Sequence, residues 1–210
     1  MILCLVTDRR RLGQSFPALL AQLREAVAAG VDLIQVRERD LEAAELSSLV
    51  TEVVTLSRGS STRVVVNDRL DVALACGADG VHLRSDSLPV AAARLLSPKP
   101  FLIGRSVHSI EDAVKAAAAD YLIAGTVYPT ASKPGAVALG VEGLRAVVVR
   151  TRLPVLAIGG VTVERIEDVA AAGAAGVAAI GLFSHPRLES VVAEVRRRFV
   201  VARPSRPGLT

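Results

Sequence analysis

Ala75-Cys76-Gly77-Ala78-Asp79-Gly80-Val81-His82-Leu83 reads as a helix end, a glycine turn and a short apolar strand within nine residues. Glycine suits the position after a helix because it takes the left-handed conformation without strain. The same passage recurs twice. Ala28-Ala29-Gly30-Val31-Asp32 leads into Leu33-Ile34-Gln35-Val36, and Ala171-Ala172-Gly173-Ala174-Ala175-Gly176 leads into Val177-Ala178-Ala179-Ile180. One helix-to-strand passage, repeated at distant points, marks a chain built from βα units.

Working outward, β-branched apolar runs predict strands over 2–7, 32–37, 63–67, 80–83, 101–104, 121–124, 155–158 and 177–180. Helical spacing of Ala, Leu, Arg and Glu predicts helices over 17–29, 41–57, 70–76, 88–96, 110–118, 141–150, 162–172 and 186–199. Nearly continuous apolar strands are buried on both faces, as in a parallel sheet covered by helices. Eight βα units in about 200 residues define a single (β/α)8 TIM barrel of the α/β class. A doubly wound open sheet would place a glycine-rich turn after its first strand. Here that turn is Asp8-Arg9-Arg10-Arg11. The barrel domain is expected over 1–200, followed by a basic, flexible tail over 201–210.

Composition narrows the class. Of 210 residues, 51% are apolar, which excludes a disordered chain. Two cysteines exclude a disulfide scaffold. No apolar run reaches the length of a membrane span, and the apolar start Met1–Val6 has no basic region ahead of it, so a cytoplasmic protein without a membrane partner is expected. The net charge of +4 invites a nucleic-acid reading. Five arginines (Arg196, Arg197, Arg198, Arg203 and Arg206) lie in the last fifteen residues, and without them the other 195 carry −1. The basicity is therefore assigned to the tail, and no nucleic-acid partner is expected.

In such a barrel the chemistry sits at the C-terminal ends of the strands. Residues just beyond the predicted strands include Asp8, Arg9, Gln35, Arg37, Arg39, Asn67, Asp68, His82, Arg84, Asp86, Ser106, His108, Thr126, Thr130, Ser132 and Lys133. Cations, hydroxyls and amides outnumber carboxylates, which suits a phosphorylated small molecule. Gly159-Gly160 closes the seventh strand and Ile180-Gly181 the eighth, where barrels of this kind bind phosphate on backbone N–H groups. The loop over 125–135 adds Thr130, Ser132 and Lys133, a set of donors for diphosphate oxygens. A solvated surface loop is its plain alternative.

Five segments carry a resemblance: Asp32-Leu33-Ile34-Gln35-Val36-Arg37-Glu38-Arg39, Val66-Asn67-Asp68-Arg69, Gly77-Ala78-Asp79-Gly80-Val81-His82-Leu83, Pro129-Thr130-Ala131-Ser132-Lys133 and Ala157-Ile158-Gly159-Gly160-Val161. In order and spacing they resemble the thiamine phosphate synthase family, whose barrel is shared by thiazole tautomerases. The resemblance spans roughly 2–184. It implies transfer of a hydroxymethylpyrimidine unit from its diphosphate to a thiazole phosphate, with Mg²⁺ and loss of pyrophosphate. It further implies Lys133, Thr130, Ser132 and Ser106 as catalytic residues. Gln35, Arg37, Arg39 and Asn67 would hold pyrimidine and diphosphate, and Gly159, Gly160, Ile180 and Gly181 the thiazole phosphate. Asp68 and Asp86 would be the metal ligands, and a homodimer is left open.

The chain also departs from that pattern. Where the family has Gly-Gln-x-Asp after His-Leu, this chain has Arg84-Ser85-Asp86-Ser87. Ser87 thus replaces the second metal-binding Asp, and Asp86 stands one position early. Arg39 replaces a Lys, and Gly181 a Ser. Ile103-Gly104-Arg105-Ser106-Val107-His108-Ser109 resembles the tautomerase branch, yet Thr126 stands where the tautomerase carries its acid/base His. A tautomerase-like enzyme and a non-catalytic thiazole-phosphate-binding regulator therefore remain as alternatives.

Overall fold

A computed structural model describes residues 1–130, 135, 137–185 and 187–202. Its frame is a closed barrel of parallel strands: β1 (Ile2–Val6), β2 (Leu33–Val36), β3 (Arg63–Asn67), β4 (Gly80–Leu83), β5 (Leu102–Val107), β6 (Tyr121–Gly125), β7 (Val155–Ile158) and β8 (Gly176–Ala179). Each pairs with its sequence neighbours, and β8 closes on β1 with Ile2 opposite Gly176. The helices α1 (Phe16–Ala28), α2 (Ala43–Ser57), α3 (Leu70–Ala75), α4 (Val90–Leu96), α5 (Ile110–Lys115), α6 (Gly140–Arg150), α7 (Ile166–Ala171) and α8 (Leu188–Ala202) alternate with the strands. Gly30, Gly77 and Gly173 follow α1, α3 and α7 with φ of 78°, 66° and 86°, the conformation their placement predicts.

Two apolar layers result from side chains alternating along each strand. Outward residues such as Ile34, Val64, Val81 and Leu122 pack under the helices in one continuous core. Inward residues Cys4, Val6, Leu33, Val65, Tyr121, Ile123, Leu156 and Ala178 fill the barrel. At the N-terminal end the barrel is tied by carboxylates preceding the even strands. Asp32 accepts from the Leu3 N–H (2.8 Å), Asp79 from Val64 (2.7 Å) and Asp120 from Ile103 (2.6 Å). Ahead of β8 the corresponding residue is Ala175, so the device stops short of the last pair.

The structure differs from expectation in three places. β5 extends to Val107, which places Arg105 and Ser106 within the strand, because pairing with β6 continues to Ala124. The helix predicted over 162–172 is a 3₁₀ turn over Val163–Arg165 followed by α7. Finally, α8 runs to Ala202, two residues into the expected tail, and the charges of Arg196, Arg197 and Arg198, counted above with the tail, lie on the predicted helix. Arg196 donates to the Gly30 carbonyl (2.7 Å) and to Asp32 (2.9 Å), while Glu194 takes Arg197 and Arg198 (2.7 and 2.6 Å). Residues 203–210 of the expected tail lie outside the described residues.

Inside the barrel, Gly104 makes room for its neighbours. A Cβ there would stand 2.2 Å from the Tyr121 ring and 2.5 Å from His82 Nδ1. Gly104→Ala is expected to cost about 1–3 kcal/mol, the usual range for overpacking a core, measured by urea unfolding. An unchanged midpoint would mean that ring and imidazole move aside freely.

Candidate active site

Above the apolar filling, the inward positions turn polar on four successive strands: Gln35 on β2, Asn67 on β3, His82 on β4 and Ser106 on β5. They floor a cavity of about 890 Å³ at the C-terminal mouth. Ten residues expected at the site line it: Gln35, Arg37, Arg39, Asn67, Ser106, Thr130, Gly159, Gly160, Ile180 and Gly181. Asp68 and Asp86 stand outside the lining. Ser132 and Lys133 lie outside the described residues.

The floor is held by buried hydrogen bonds. Gln35 donates its amide to Asn67 Oδ1 (2.9 Å), and its buried Oε1 has no partner among the described residues. Such an orphaned acceptor is costly unless a ligand supplies a donor. His82 is fully enclosed, and burial pushes its imidazole down to about 3, so it is neutral at physiological pH. Its Nδ1 meets the Tyr121 hydroxyl (3.3 Å) and its Nε2 meets Ser106 Oγ (2.9 Å). Burial keeps the Tyr121 phenol protonated. The neutral imidazole donates from one ring nitrogen and accepts at the other, so it links the Tyr121 and Ser106 hydroxyls in one chain. His82 is therefore a positioning residue.

One arc of the mouth is built by β7, β8 and the segment after β1. Gly159 and Gly160 have φ of 94° and 63°. The Gly159 carbonyl accepts from Tyr128 N–H (3.0 Å), and the Gly160 carbonyl from Arg165 Nη1 (2.6 Å). Arg165 also covers the Tyr128 ring at 4.4 Å. A Cβ at Gly160 would lie 2.7 Å from the Pro129 carbonyl, so the turn has no room for a side chain. Gly181 completes this arc, and a Cβ built on it would lie 3.2 Å from Arg11 Nη1. A guanidinium thus stands beside the position where the resemblance would place a serine hydroxyl.

The arginine run after β1 divides by role. Arg9, expected on the rim, is buried: its N–H donates to the Glu38 carboxylate (3.1 Å) and its Nη1 to Asp40 (2.8 Å). Arg10 and Arg11 line the cavity, with Asp8 holding Arg10 at 2.8 Å. The contribution of Arg11 was not legible in the sequence; the unbroken Arg9-Arg10-Arg11 run at a strand end was its only signal.

On the opposite arc, Arg37 and Arg39 follow β2 and Arg84 follows β4. The Arg37 N–H donates to Thr7 Oγ1 (2.8 Å), and burial together with nearby Arg39 lowers the Arg37 pKa from its ordinary value. Asp68, at φ 64°, accepts from the Arg84 N–H (3.3 Å), with Arg84 Nε 3.6 Å from its second oxygen. The same guanidinium donates to both oxygens of Asp86 (2.9 and 2.7 Å). Both carboxylates expected to bind metal are thus engaged by one arginine. Among the described residues no three His, Cys, Asp or Glu side chains cluster in a way that could hold a metal ion.

His108 lines the rim, its Nδ1 against the Gly125 carbonyl. Thr126, where the tautomerase branch has a histidine, also lines the cavity. No helix among the described residues is long and apolar enough to cross a membrane.

A closed (β/α)8 barrel whose mouth gathers arginines, a side-chain-free double-glycine turn and buried amides is a phosphate-binding barrel by fold and site. A model of the thiamine monophosphate synthase (TMP-TENI) family matches residues 3–183, and the chain belongs to that family. It is 47% identical over 160 residues to the thiamine-phosphate synthase of Methanospirillum hungatei, covering 75% of this chain and 78% of that one. It is 41% identical over 184 residues to that of Methanoregula boonei, covering 86% and 85%. Among solved structures, thiamine phosphate pyrophosphorylase from Pyrococcus furiosus superposes with a TM-score of 0.83 at 33% identity over 96% of each chain. The 3-hexulose-6-phosphate synthase of Salmonella typhimurium, with a TM-score of 0.74 at 15% identity, shares the fold.

Arg11→Ala is expected to weaken binding of inorganic phosphate by about tenfold or more, the size of one lost charge-assisted hydrogen bond. Calorimetric titration measures it. An unchanged affinity would place Arg11 outside the anion site.

Proposed function

We propose that this chain joins a hydroxymethylpyrimidine diphosphate to a thiazole phosphate, forming thiamine phosphate and releasing pyrophosphate. The observation that carries this reading is one cavity lined by arginines after β1, β2 and β4 and by the Gly159-Gly160 turn, over a polar floor on β2 to β5. Arg37, Arg39 and Arg84 rise from β2 and β4. Arg11 and the Gly159-Gly160 and Gly181 backbone face them from β7, β8 and the turn after β1. The site thus has a place for each of two phosphorylated reactants, with their rings meeting over Gln35, Asn67 and Ser106.

In this reading Gln35 Oε1 accepts from the amino group of the pyrimidine, satisfying an acceptor that is otherwise buried without a partner. The bond from the pyrimidinylmethyl carbon to the diphosphate oxygen breaks, and its electron pair leaves on pyrophosphate. The thiazole nitrogen then forms a bond to that carbon. Positive charge fixed along Arg37, Arg39 and Arg84, with the Ser106 O–H, stabilises the departing anion; preorganised electrostatics of this kind are usually the largest catalytic contribution. Thr130 lines the cavity beside them, and Ser132 and Lys133 continue the same loop as expected diphosphate donors. The second arc holds the thiazole phosphate and fixes the nitrogen towards the reacting carbon, converting a bimolecular encounter into a local one.

Among the described residues, Mg²⁺, which the family resemblance implies, finds no cluster of three His, Cys, Asp or Glu side chains. Asp68 and Asp86 are both occupied by Arg84, so no step above passes through the metal. A tautomerase reading lacks its acid/base histidine, since that position is Thr126. A cytoplasmic location and a homodimer belong to the same reading and add nothing to the chemistry.

Incubation of the purified protein with both phosphorylated substrates and MgCl₂ is expected to yield thiamine phosphate and pyrophosphate in equal amounts, followed by chromatography. Absence of thiamine phosphate with both substrates bound would overturn the synthase reading in favour of a binding protein or tautomerase.

A further inference from the structure

We propose that the Arg84 guanidinium takes the place of a divalent cation at this barrel mouth, as the fixed positive charge that bridges Asp68 and Asp86 and receives the pyrophosphate. The inference rests on the synthase reading and identifies how that site neutralises its anion.

Four contacts define the arrangement. Arg84 N–H and Nε approach the two oxygens of Asp68 at 3.3 and 3.6 Å, and Nε and Nη2 reach those of Asp86 at 2.9 and 2.7 Å. The loop that presents Asp86 is itself tied down. Arg105 donates from Nη2 to the Ser85 carbonyl (2.9 Å) and from Nη1 to the Leu88 carbonyl (2.7 Å), and Ser87 N–H donates to the Arg84 carbonyl (3.1 Å). Arg84 also lines the cavity, on the same arc as Arg37 and Arg39.

The loop's charge follows the same logic. Relative to the Gly-Gln-x-Asp pattern, Arg84 adds a positive charge, Asp86 at the x position adds a negative one and Ser87 removes one, so the loop exchanges a carboxylate for an internal guanidinium–carboxylate pair. The guanidinium already supplies positive charge beside both carboxylates, at 2.7 Å from Asp86 and 3.6 Å from Asp68. Arg84 is permanently charged, and its planar fork fits phosphate as well as carboxylate. Its pairing with Asp86 is exposed, 40% and 68% by side chain, so exchanging that partner for an arriving phosphate costs little. Asp68, only 23% exposed, keeps the guanidinium at the rim while it does so.

The test is calorimetric titration of the full chain with inorganic pyrophosphate, in EDTA and in MgCl₂. The parent is expected to bind equally in the two buffers. Arg84→Gly is expected to bind about tenfold or more weakly in EDTA, and the double variant Arg84→Gly/Ser87→Asp to regain affinity only when Mg²⁺ is present. Titration of Mn²⁺ followed by electron paramagnetic resonance should show metal binding by the double variant with pyrophosphate and little by the parent. Parent affinity that rises about tenfold with Mg²⁺ would overturn the role of Arg84 while leaving the synthase reading intact. So would an Arg84→Gly variant that binds like the parent in EDTA, or a double variant that Mg²⁺ does not restore. Failure of the parent to bind pyrophosphate in either buffer would remove the synthase reading itself.

Discussion

Closing strands of four to six residues into a barrel forces each strand to contribute only two or three side chains to the interior. Everything at the mouth depends on that constraint. The lower inward layer is apolar, so the upper one can be polar only if its members satisfy one another. They do so across neighbouring strands: Gln35 with Asn67, and Tyr121 through His82 to Ser106. Gly104 is the concession that lets the Tyr121 ring and the imidazole occupy the same level. Among the described residues the buried Gln35 Oε1 stays without a partner, in a residue that lines the cavity.

Charge at the mouth follows from what surrounds this floor. Two carboxylates line the cavity, Asp8, which pairs with Arg10, and Glu164, while Glu38 holds the Arg9 N–H and Asp68 and Asp86 lie against Arg84. Around the cavity, arginines, hydroxyls and backbone amides outnumber these two carboxylates. A site so composed binds anions and has no paired carboxylates for general acid–base hydrolysis. The family assignment and this composition agree, and the two cationic arcs suit a reaction with two phosphorylated partners.

Much of the fold was legible because its signals are local. Helix-end glycines at 30, 77 and 173, and apolar runs of strand length, are read residue by residue. The site was partly legible for the same reason: rim position alone brought Gln35, Asn67, Gly159 and Gly181 to one cavity. Contacts between distant segments were not. Asp32 reads as the first residue of a strand and Asp79 as part of a glycine turn, and with Asp120 they prove to be ties between strands. Arg196 reads as part of a basic tail and in fact anchors α8 to Asp32. Arg11 reaches Gly181 across the β1–β8 closure, a juxtaposition that no sequence spacing encodes. The Arg84 clasp is local in sequence, but its meaning required knowing that Asp68 lies beside it.

The central claim is that two anion sites sit on opposite arcs of one mouth. Diffraction from crystals soaked in inorganic phosphate and pyrophosphate tests it most directly. The account predicts phosphate against Gly159, Gly160, Gly181 and Arg11, and pyrophosphate against Arg37, Arg39 and Arg84. Density for both anions on a single arc, or none at the double-glycine turn, would contradict it.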